Sequence, residues 1–166
     1  CVGYVAALDF ITEKVLENCP RLKVISRYGV GYDRVDIQAA QKKGITVTNT
    51  PGVNSEAVGE LAFALVLAVA RKIPYLDSST RNGEWVRSSG FECLGKTICI
   101  VGLGSIGKVV ARCAQGFGMT VCAYDPYINA DYCEEHQIES VSLEDGLKKA
   151  DIISLHLPLT DETRHM

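Results

Sequence analysis

A glycine-rich turn between an apolar run and an amphipathic segment is the feature that most constrains the fold of this chain. The apolar run from Thr97 to Val101 continues directly into GLGSIGK, which holds Gly102, Gly104 and Gly107. Nearly every residue of the run is apolar, as in a strand that is covered on both faces of a parallel sheet. The glycines then allow a sharp turn into a helix. We therefore predict a β-strand, a tight glycine loop and an α-helix in succession.

The residues after the loop continue the same alternation of strand and helix. Apolar side chains recur at helical spacing at Ile106, Val109, Val110, Cys113, Ala114 and Phe117. Gly118 is expected to end this helix, and Thr120 to Tyr124 is predicted as the next strand. Short apolar runs alternate with helical patterns along the whole chain, which predicts parallel α/β structure.

In this setting the pattern G-x-G-x-x-G is typical of a dinucleotide-binding loop. Gly102 permits the tight turn, Gly104 leaves room for a pyrophosphate beside the backbone, and Gly107 lets the helix pack closely on the strand. The amides of Ser105 and Ile106 are free at the start of the helix, where an anion is favoured. A glycine turn that serves packing alone is the alternative.

An acidic residue, Asp125, ends the next predicted strand about twenty residues after the glycine loop, where dinucleotide-binding folds place an acid on the adenosine ribose. No Arg or Lys lies between Asp125 and Asp131 to receive a 2′-phosphate. These features favour NAD over NADP. The alternative is a solvated acid that only precedes Pro126.

The remaining segments complete two halves, which we place at residues 1–50 and 51–166. Strands are predicted at 4–8, 22–26, 45–49, 138–141 and 151–157, and helices at 12–18, 37–43, 55–72 and 130–136 and from Ser142 onward. Thr12, Asp36 and Ser142 are the predicted helix N-caps, with Asp145 in capping-box position. The polar, glycine-punctuated segment 78–95 is expected to be a surface excursion.

The helix predicted at 55–72 is the most apolar part of the chain. Its inward face is expected to hold Val58, Leu61, Ala62, Leu65, Val66 and Val69. The run from Ala57 to Ala70 is too short to span a bilayer and includes Glu60, so we predict a buried helix and no membrane partner.

Composition excludes several functions. The formal net charge is -3 with mixed signs along the chain, so no basic stripe for nucleic acid is present. The seven cysteines form no CxxC pair and no spacing of zinc ligands, which argues against a metal site and favours a reducing, cytoplasmic compartment. The chain starts at Cys1 rather than Met, and we expect it to be an interior fragment of a longer protein.

Several motifs together resemble the D-isomer-specific 2-hydroxyacid dehydrogenases, above all their D-3-phosphoglycerate dehydrogenase members. They are RYGVGYD and NTPG in the first half, and GLGSIGK and SLHLP in the second, in register over nearly the whole chain. The resemblance implies part of a flavodoxin-like substrate domain followed by the first half of a doubly wound Rossmann NAD-binding domain. It also implies hydride transfer between NAD and a 2-keto or 2-hydroxy acid, possibly 3-phosphoglycerate, and a homodimer formed through the helix at 55–72.

The resemblance also implies roles for single residues. Gly29, Val30 and Gly31 match a loop whose amides face the substrate carboxylate and, at Val30, the nicotinamide, although a plain strand-to-helix turn is the alternative. Arg27 matches a residue that holds the substrate's anionic end, or it makes a surface ion pair. A further anion-binding Arg is absent from YVAALD, which weakens the case for a phosphorylated substrate.

The remaining family positions concern the cofactor pocket and the chemistry. His156, Leu157 and Pro158 match the wall of the adenosine pocket, so His156 is not predicted to be a catalytic base. The family's catalytic Arg, Glu and His match nothing in this chain, so we predict no catalytic residue and no activity for the 166 residues alone. The alternatives are an NAD-sensing corepressor-like protein of the same fold and an unrelated Rossmann regulatory domain.

Overall fold

The computed structural model describes all 166 residues, which form two compact units, Cys1–Asn54 and Ser55–Met166. The first unit holds a three-stranded parallel sheet in the order β1-β2-β3. Its elements are β1 (Gly3–Ala6), α1 (Glu13–Glu17), β2 (Val24–Arg27), α2 (Ile37–Lys42) and β3 (Thr46–Thr48). Leu16, Ile25 and Ala40 form the centre of its core.

The second unit holds a four-stranded parallel sheet in the order β6-β5-β4-β7. Its elements are α3 (Ser55–Ala70), α4 (Ile73–Arg81), β4 (Thr97–Val101), α5 (Ser105–Gly116), β5 (Thr120–Tyr124), α6 (Ala130–Glu135), β6 (Glu139–Ser140), α7 (Leu143–Lys149) and β7 (Ile152–Leu155). This is the strand order 3-2-1-4 of the first half of a doubly wound sheet. The predicted fold class is confirmed.

Both faces of the second sheet are covered, because alternate residues of β4 enter different cores. Ile98 and Ile100 pack with residues of α3, α5 and α6. Cys99 and Val101 lie on the opposite face with Cys122, beneath Leu143 at the start of α7. Burial raises the pKa of Cys122 to about 12, so this thiol stays protonated and packs as a small apolar group.

The predicted inward face of α3 is partly wrong. Leu61, Leu65 and Val69 are 61%, 59% and 72% exposed, whereas Gly59 and Phe63 are buried. The helix is apolar nearly all round, so its sequence did not show which stripe would meet the sheet. The long helix also ends at Ala70 rather than at residue 72.

The predicted surface excursion at 78–95 is wrong at its start, where α4 runs from Ile73 to Arg81. Lys72 adopts a left-handed backbone with φ 54°, which separates α3 from α4. Pro74 is tolerated because it lies in the first turn of α4, where no intrahelical acceptor is needed for its nitrogen. None of the helices combines the length and apolar character that crossing a membrane requires.

Candidate functional site

The candidate cofactor site lies where the strand order of the second sheet reverses. The chain passes from β4 outward to β5 and β6 and then returns to add β7 on the other side of β4. In open parallel sheets, ligands bind outside the carboxyl ends of the strands at such a switch point. The glycine loop follows β4, and His156 follows β7, so both flank this position.

Gly102 is required by the backbone at this reversal. Its φ is +100°, a conformation that L side chains rarely adopt. A Cβ atom there would lie 2.8 Å from the carbonyl carbon and oxygen of His156 and 2.9 Å from Cδ2 of Leu157. The loops that follow β4 and β7 therefore touch at Gly102, and no larger residue fits between them.

Gly107 and Gly104 differ in what surrounds them. A Cβ atom on Gly107 would lie 2.2 Å from the carbonyl oxygen of Gly102, so this glycine lets α5 pack onto its own loop. Gly104 is the N-cap of α5, and a Cβ atom there would meet nothing within 4 Å. The amides of Ser105 and Ile106 have no backbone or side-chain acceptor, and they stand beside this open space.

Asp125 accepts two backbone hydrogen bonds at the end of β5. Its Oδ2 accepts from the amide of Leu103, inside the glycine loop, at 2.8 Å. Its Oδ1 accepts from the amide of Tyr127 at 2.8 Å. This partly buried carboxylate is therefore part of the loop structure.

The segment after β7 contributes His156, Leu157 and Pro158. The His156 amide donates to the carbonyl of Val101 at 2.8 Å, and its Nε2 lies 2.8 Å from Oγ of Ser154. Burial lowers the pKa of His156 below its ordinary value of 6.5, so the ring is neutral at pH 7. Leu157 packs at the edge of the sheet core, and the Pro158 carbonyl accepts from Oγ1 of Thr163.

The predicted substrate loop lies in the first unit, after β2. Gly29 has φ +141°, which favours glycine. The loop is tied to the end of β3, because the Asn49 side chain donates to the Val30 carbonyl at 2.8 Å and the Thr50 amide donates to the Gly29 carbonyl at 3.1 Å. The amides of Val30 and Gly31 have no protein acceptor. Two adjacent donors are thus available for an anion.

Arg27 makes no ion pair, so the alternative of a surface salt bridge is not what the structure shows. Its Nη1 donates to the Tyr28 carbonyl and, at 3.4 Å, to the Ala6 carbonyl. The same Nη1 would lie 2.9 Å from a Cβ atom on Gly29. The guanidinium therefore covers the start of the loop in this structure.

Three contributors to these sites were missed at the sequence level. They are Asn49, the amide of Leu103, and Ser154 beside His156. Only Asn49 gave a signal, because it opens the NTPG segment that interrupts the helix and strand patterns. No cluster of three or more His, Cys, Asp or Glu side chains could hold a metal. No histidine side chain is hydrogen-bonded to a carboxylate.

The open space at Gly104, the free amides beside it and the carboxylate at the end of β5 fit a dinucleotide. Gly104 and α5 would hold the pyrophosphate, and Asp125 keeps lone pairs for ribose hydroxyls.

Comparison with known proteins agrees with this geometry. Residues 63–166 match the family model for the D-isomer specific 2-hydroxyacid dehydrogenase, NAD binding domain. The glyoxylate reductase of Thermococcus litoralis is 48% identical over 95% of this chain and 50% of its own length. The D-3-phosphoglycerate dehydrogenase of Methanocaldococcus jannaschii is 45% identical over 94% of this chain and 30% of its own length.

A solved structure gives the same result. The D-lactate dehydrogenase of Aquifex aeolicus, complexed with NAD and lactic acid, superimposes with a TM-score of 0.86 and 34% identity. The match covers 100% of this chain and 51% of that one, so the chain spans about half the length of this relative. The chain belongs to the D-isomer-specific 2-hydroxyacid dehydrogenase family and contains the matched part of its NAD-binding domain.

Proposed function

We propose that this chain is the cofactor-binding part and a portion of the substrate-binding part of an NAD-dependent oxidoreductase. The substrate class is a small 2-keto or D-2-hydroxy acid. The observation that carries the cofactor assignment is the open space at Gly104 beside the unpaired amides of Ser105 and Ile106. When bound, NAD would supply the hydride acceptor for a 2-hydroxy acid, or, as NADH, the hydride donor for a 2-keto acid.

The residues of this chain would bind and orient rather than move protons. The amides at the start of α5 take the pyrophosphate, where the helix dipole favours an anion. Asp125 takes the adenosine ribose, with Leu157 and Pro158 as the pocket wall. The amides of Val30 and Gly31 take the substrate carboxylate.

Among substrates, we favour an unphosphorylated 2-keto acid. The relatives include enzymes named for glyoxylate, which has no phosphate, and for 3-phosphoglycerate, which carries one. Arg27 and Arg34 both donate to backbone carbonyls, and Arg34 also stacks on the Phe10 ring at 4.7 Å. No Arg lies between Tyr4 and Asp9 to add a second cation.

The test is NADH oxidation by the full-length protein with glyoxylate, pyruvate, hydroxypyruvate and phosphohydroxypyruvate. We expect turnover of an unphosphorylated acid, and Gly31→Val should raise its KM while NAD affinity stays within a few-fold. A Cβ atom at Gly31 would meet only Oδ1 of Asp33, at 2.9 Å, and this side chain can move. An unchanged KM, or a preference for phosphohydroxypyruvate, would contradict the assignment.

Cofactor choice is tested at Asp125. Loss of the carboxylate in Asp125→Ala should raise the affinity for NADP relative to NAD, because a carboxylate repels a 2′-phosphate. Calorimetry with both cofactors measures the ratio, and an equal loss for both would contradict a role in discrimination.

A homodimer formed through α3 is the proposed assembly. The exposed stripe of Leu61, Leu65 and Val69 is an apolar surface of α3 that faces away from the core. Leu65→Glu should lower the apparent mass in sedimentation at fixed concentration, whereas Leu147→Glu, on the partly exposed face of α7, should not.

We also propose a cytoplasmic location, which the seven free thiols support.

A further inference from the structure

The carboxylate of Asp125 joins two loops that are distant in sequence. One oxygen accepts from the amide of Leu103, 22 residues earlier, and the other accepts from the amide of Tyr127, two residues later. Both bonds are 2.8 Å long. We propose that Asp125 is a positioning residue that fixes the glycine loop and the turn at Pro126 before any cofactor arrives.

The bond to Leu103 acts at the centre of the glycine loop. Leu103 lies between Gly102 and Gly104, and its side chain is buried at 6% exposure. The Gly102 amide donates to the Tyr124 carbonyl at 2.8 Å, so two successive amides of the loop bond to the end of β5. Without the carboxylate, the second of these amides would lose its acceptor, and the two glycines around it offer little resistance to a change of backbone conformation.

The bond to Tyr127 holds the other side. Tyr127 is 92% exposed, so its own side chain does not anchor the turn. An aspartate that accepts from the amide two residues ahead closes a local turn. The same carboxylate therefore shapes both loops that border the ribose position.

These bonds leave the carboxylate able to bind a ribose as well. An ionised carboxylate has about four lone-pair positions, of which the two amides use two. The inference rests on the proposed function only for the identity of the ligand. The inference adds that Asp125 contributes to the affinity of a ligand that has no ribose hydroxyls, because such a ligand still needs the glycine loop in its binding conformation.

A ligand without ribose hydroxyls separates the two roles. The probe is 2′,3′-dideoxyadenosine 5′-diphosphate, which keeps the diphosphate and adenine but has no ribose hydroxyl to donate to Asp125. Calorimetry with the full-length protein compares the native residue with Asp125→Ala, Asp125→Asn and Asp131→Ala. Asp131 is a matched control, because it is an exposed aspartate in the first turn of α6 whose side chain makes no hydrogen bond.

We expect Asp125→Ala to bind this probe about tenfold more weakly than the native protein, because a lost acceptor for a backbone amide has that order of effect. Asp131→Ala should bind within twofold of native. Asp125→Asn should fall between, since its single carbonyl oxygen can keep one of the two amides. If Asp125→Ala binds the probe as the native protein does, Asp125 acts through the ribose alone and the inference is overturned.

Amide hydrogen exchange without any ligand gives a second readout that does not depend on the proposed function. In Asp125→Ala the amides of Leu103 and Tyr127 should exchange faster than in the native protein, while amides within β4 keep their rates. Unchanged rates at Leu103 would overturn the inference. A native protein that binds neither NAD nor the probe would refute the proposed function, and the exchange result would still decide the role of Asp125.

Discussion

The three glycines of the loop after β4 make different demands on the chain. Gly102 is needed for its φ of +100° and for its contact with His156. Gly107 is needed because its α-carbon lies against the Gly102 carbonyl. Gly104 has an ordinary φ of -75° and open space around it. Of the three, only Gly104 has neither a close protein contact nor a positive φ, and the space beside it points to a bound group.

We predict that two alanine substitutions in this loop affect different properties, one the binding of NAD and the other the stability of the fold. Gly104→Ala should lower the thermal unfolding midpoint by no more than about 4 °C, since the methyl group meets no protein atom and the loss of a favoured N-cap residue costs about 1 kcal/mol or less. It should nevertheless weaken NAD binding, because the methyl group occupies the open space. Gly107→Ala should cost about 1–3 kcal/mol or more, as overpacking does. Thermal melts and calorimetry test both, and native NAD affinity in Gly104→Ala would refute this account of the loop.

A pH effect on stability should arise from His156. Its folded pKa is lowered by burial, so the unfolded chain takes up a proton more readily than the folded protein. The stabilisation is therefore complete above the ordinary pKa of 6.5 and is lost as the pH falls from there through the folded pKa. In urea titrations between pH 5 and 8, the free energy of unfolding should fall less towards low pH in His156→Gln than in the native protein. Equal losses would contradict this assignment.

At the scale of elements, α3 and α5 pack closely through a missing side chain. A Cβ atom on Gly59 would lie 2.5 Å from Cγ1 of Val109. The glycine in α3 therefore sets how near the two helices come. Gly116, at the end of α5, has nothing within 4 Å of its Cβ position, so it serves no such contact.

We expect Gly59→Leu to lower the free energy of unfolding by about 3 kcal/mol, because α3 must move away from α5. Gly116→Ala should be neutral or stabilising by up to about 1 kcal/mol, since alanine favours the helix without a clash. Chemical denaturation of both variants tests the pair. The explanation fails if Gly59→Leu is as stable as the native protein.

Most local signals were read correctly from the sequence, and contacts between distant segments were not. β4 and β5 begin and end where predicted, because each is a short apolar run between polar boundaries. Asp36 and Ser142 accept amide hydrogen bonds as predicted N-caps, whereas the Thr12 side chain makes no capping bond. Which stripe of α3 is exposed depends on how this helix packs against α5, so the stripe was missed. The short helix α4 lacks a long apolar period, so it was missed as well.

The candidate site follows the same division. The glycine loop was recognisable because its three positions have fixed local roles. The bond from Asp125 to Leu103 spans 22 residues, and the bond from Asn49 to Val30 spans 19. A single sequence carries no signal for such pairs, since both donors and acceptors are common residues whose meeting depends on strand order.

At the scale of the whole molecule, the residues proposed to bind ligands lie in both units, whereas neither unit offers a candidate for acid–base chemistry. His156 is hydrogen-bonded to Ser154, and the His136 ring packs against Tyr132 with centroids 4.1 Å apart and ring planes tilted by 46°. Hydride transfer to a keto carbon also needs a proton donor and a cation beside the developing alkoxide. No histidine here is hydrogen-bonded to a carboxylate that could orient it.

We therefore predict that the 166 residues alone turn over no 2-keto acid measurably above background, even where they bind NAD. Loss of one such group from an intact site commonly costs about 10²-fold or more in rate. In this chain we assign no residue as the proton donor and none as the cation beside the alkoxide. The assay is NADH oxidation with glyoxylate, pyruvate, hydroxypyruvate and phosphohydroxypyruvate at high protein concentration, beside the full-length protein as a positive control. Robust activity that disappears in His156→Ala would make His156 the proton donor, and its place in the pocket wall would have to be abandoned.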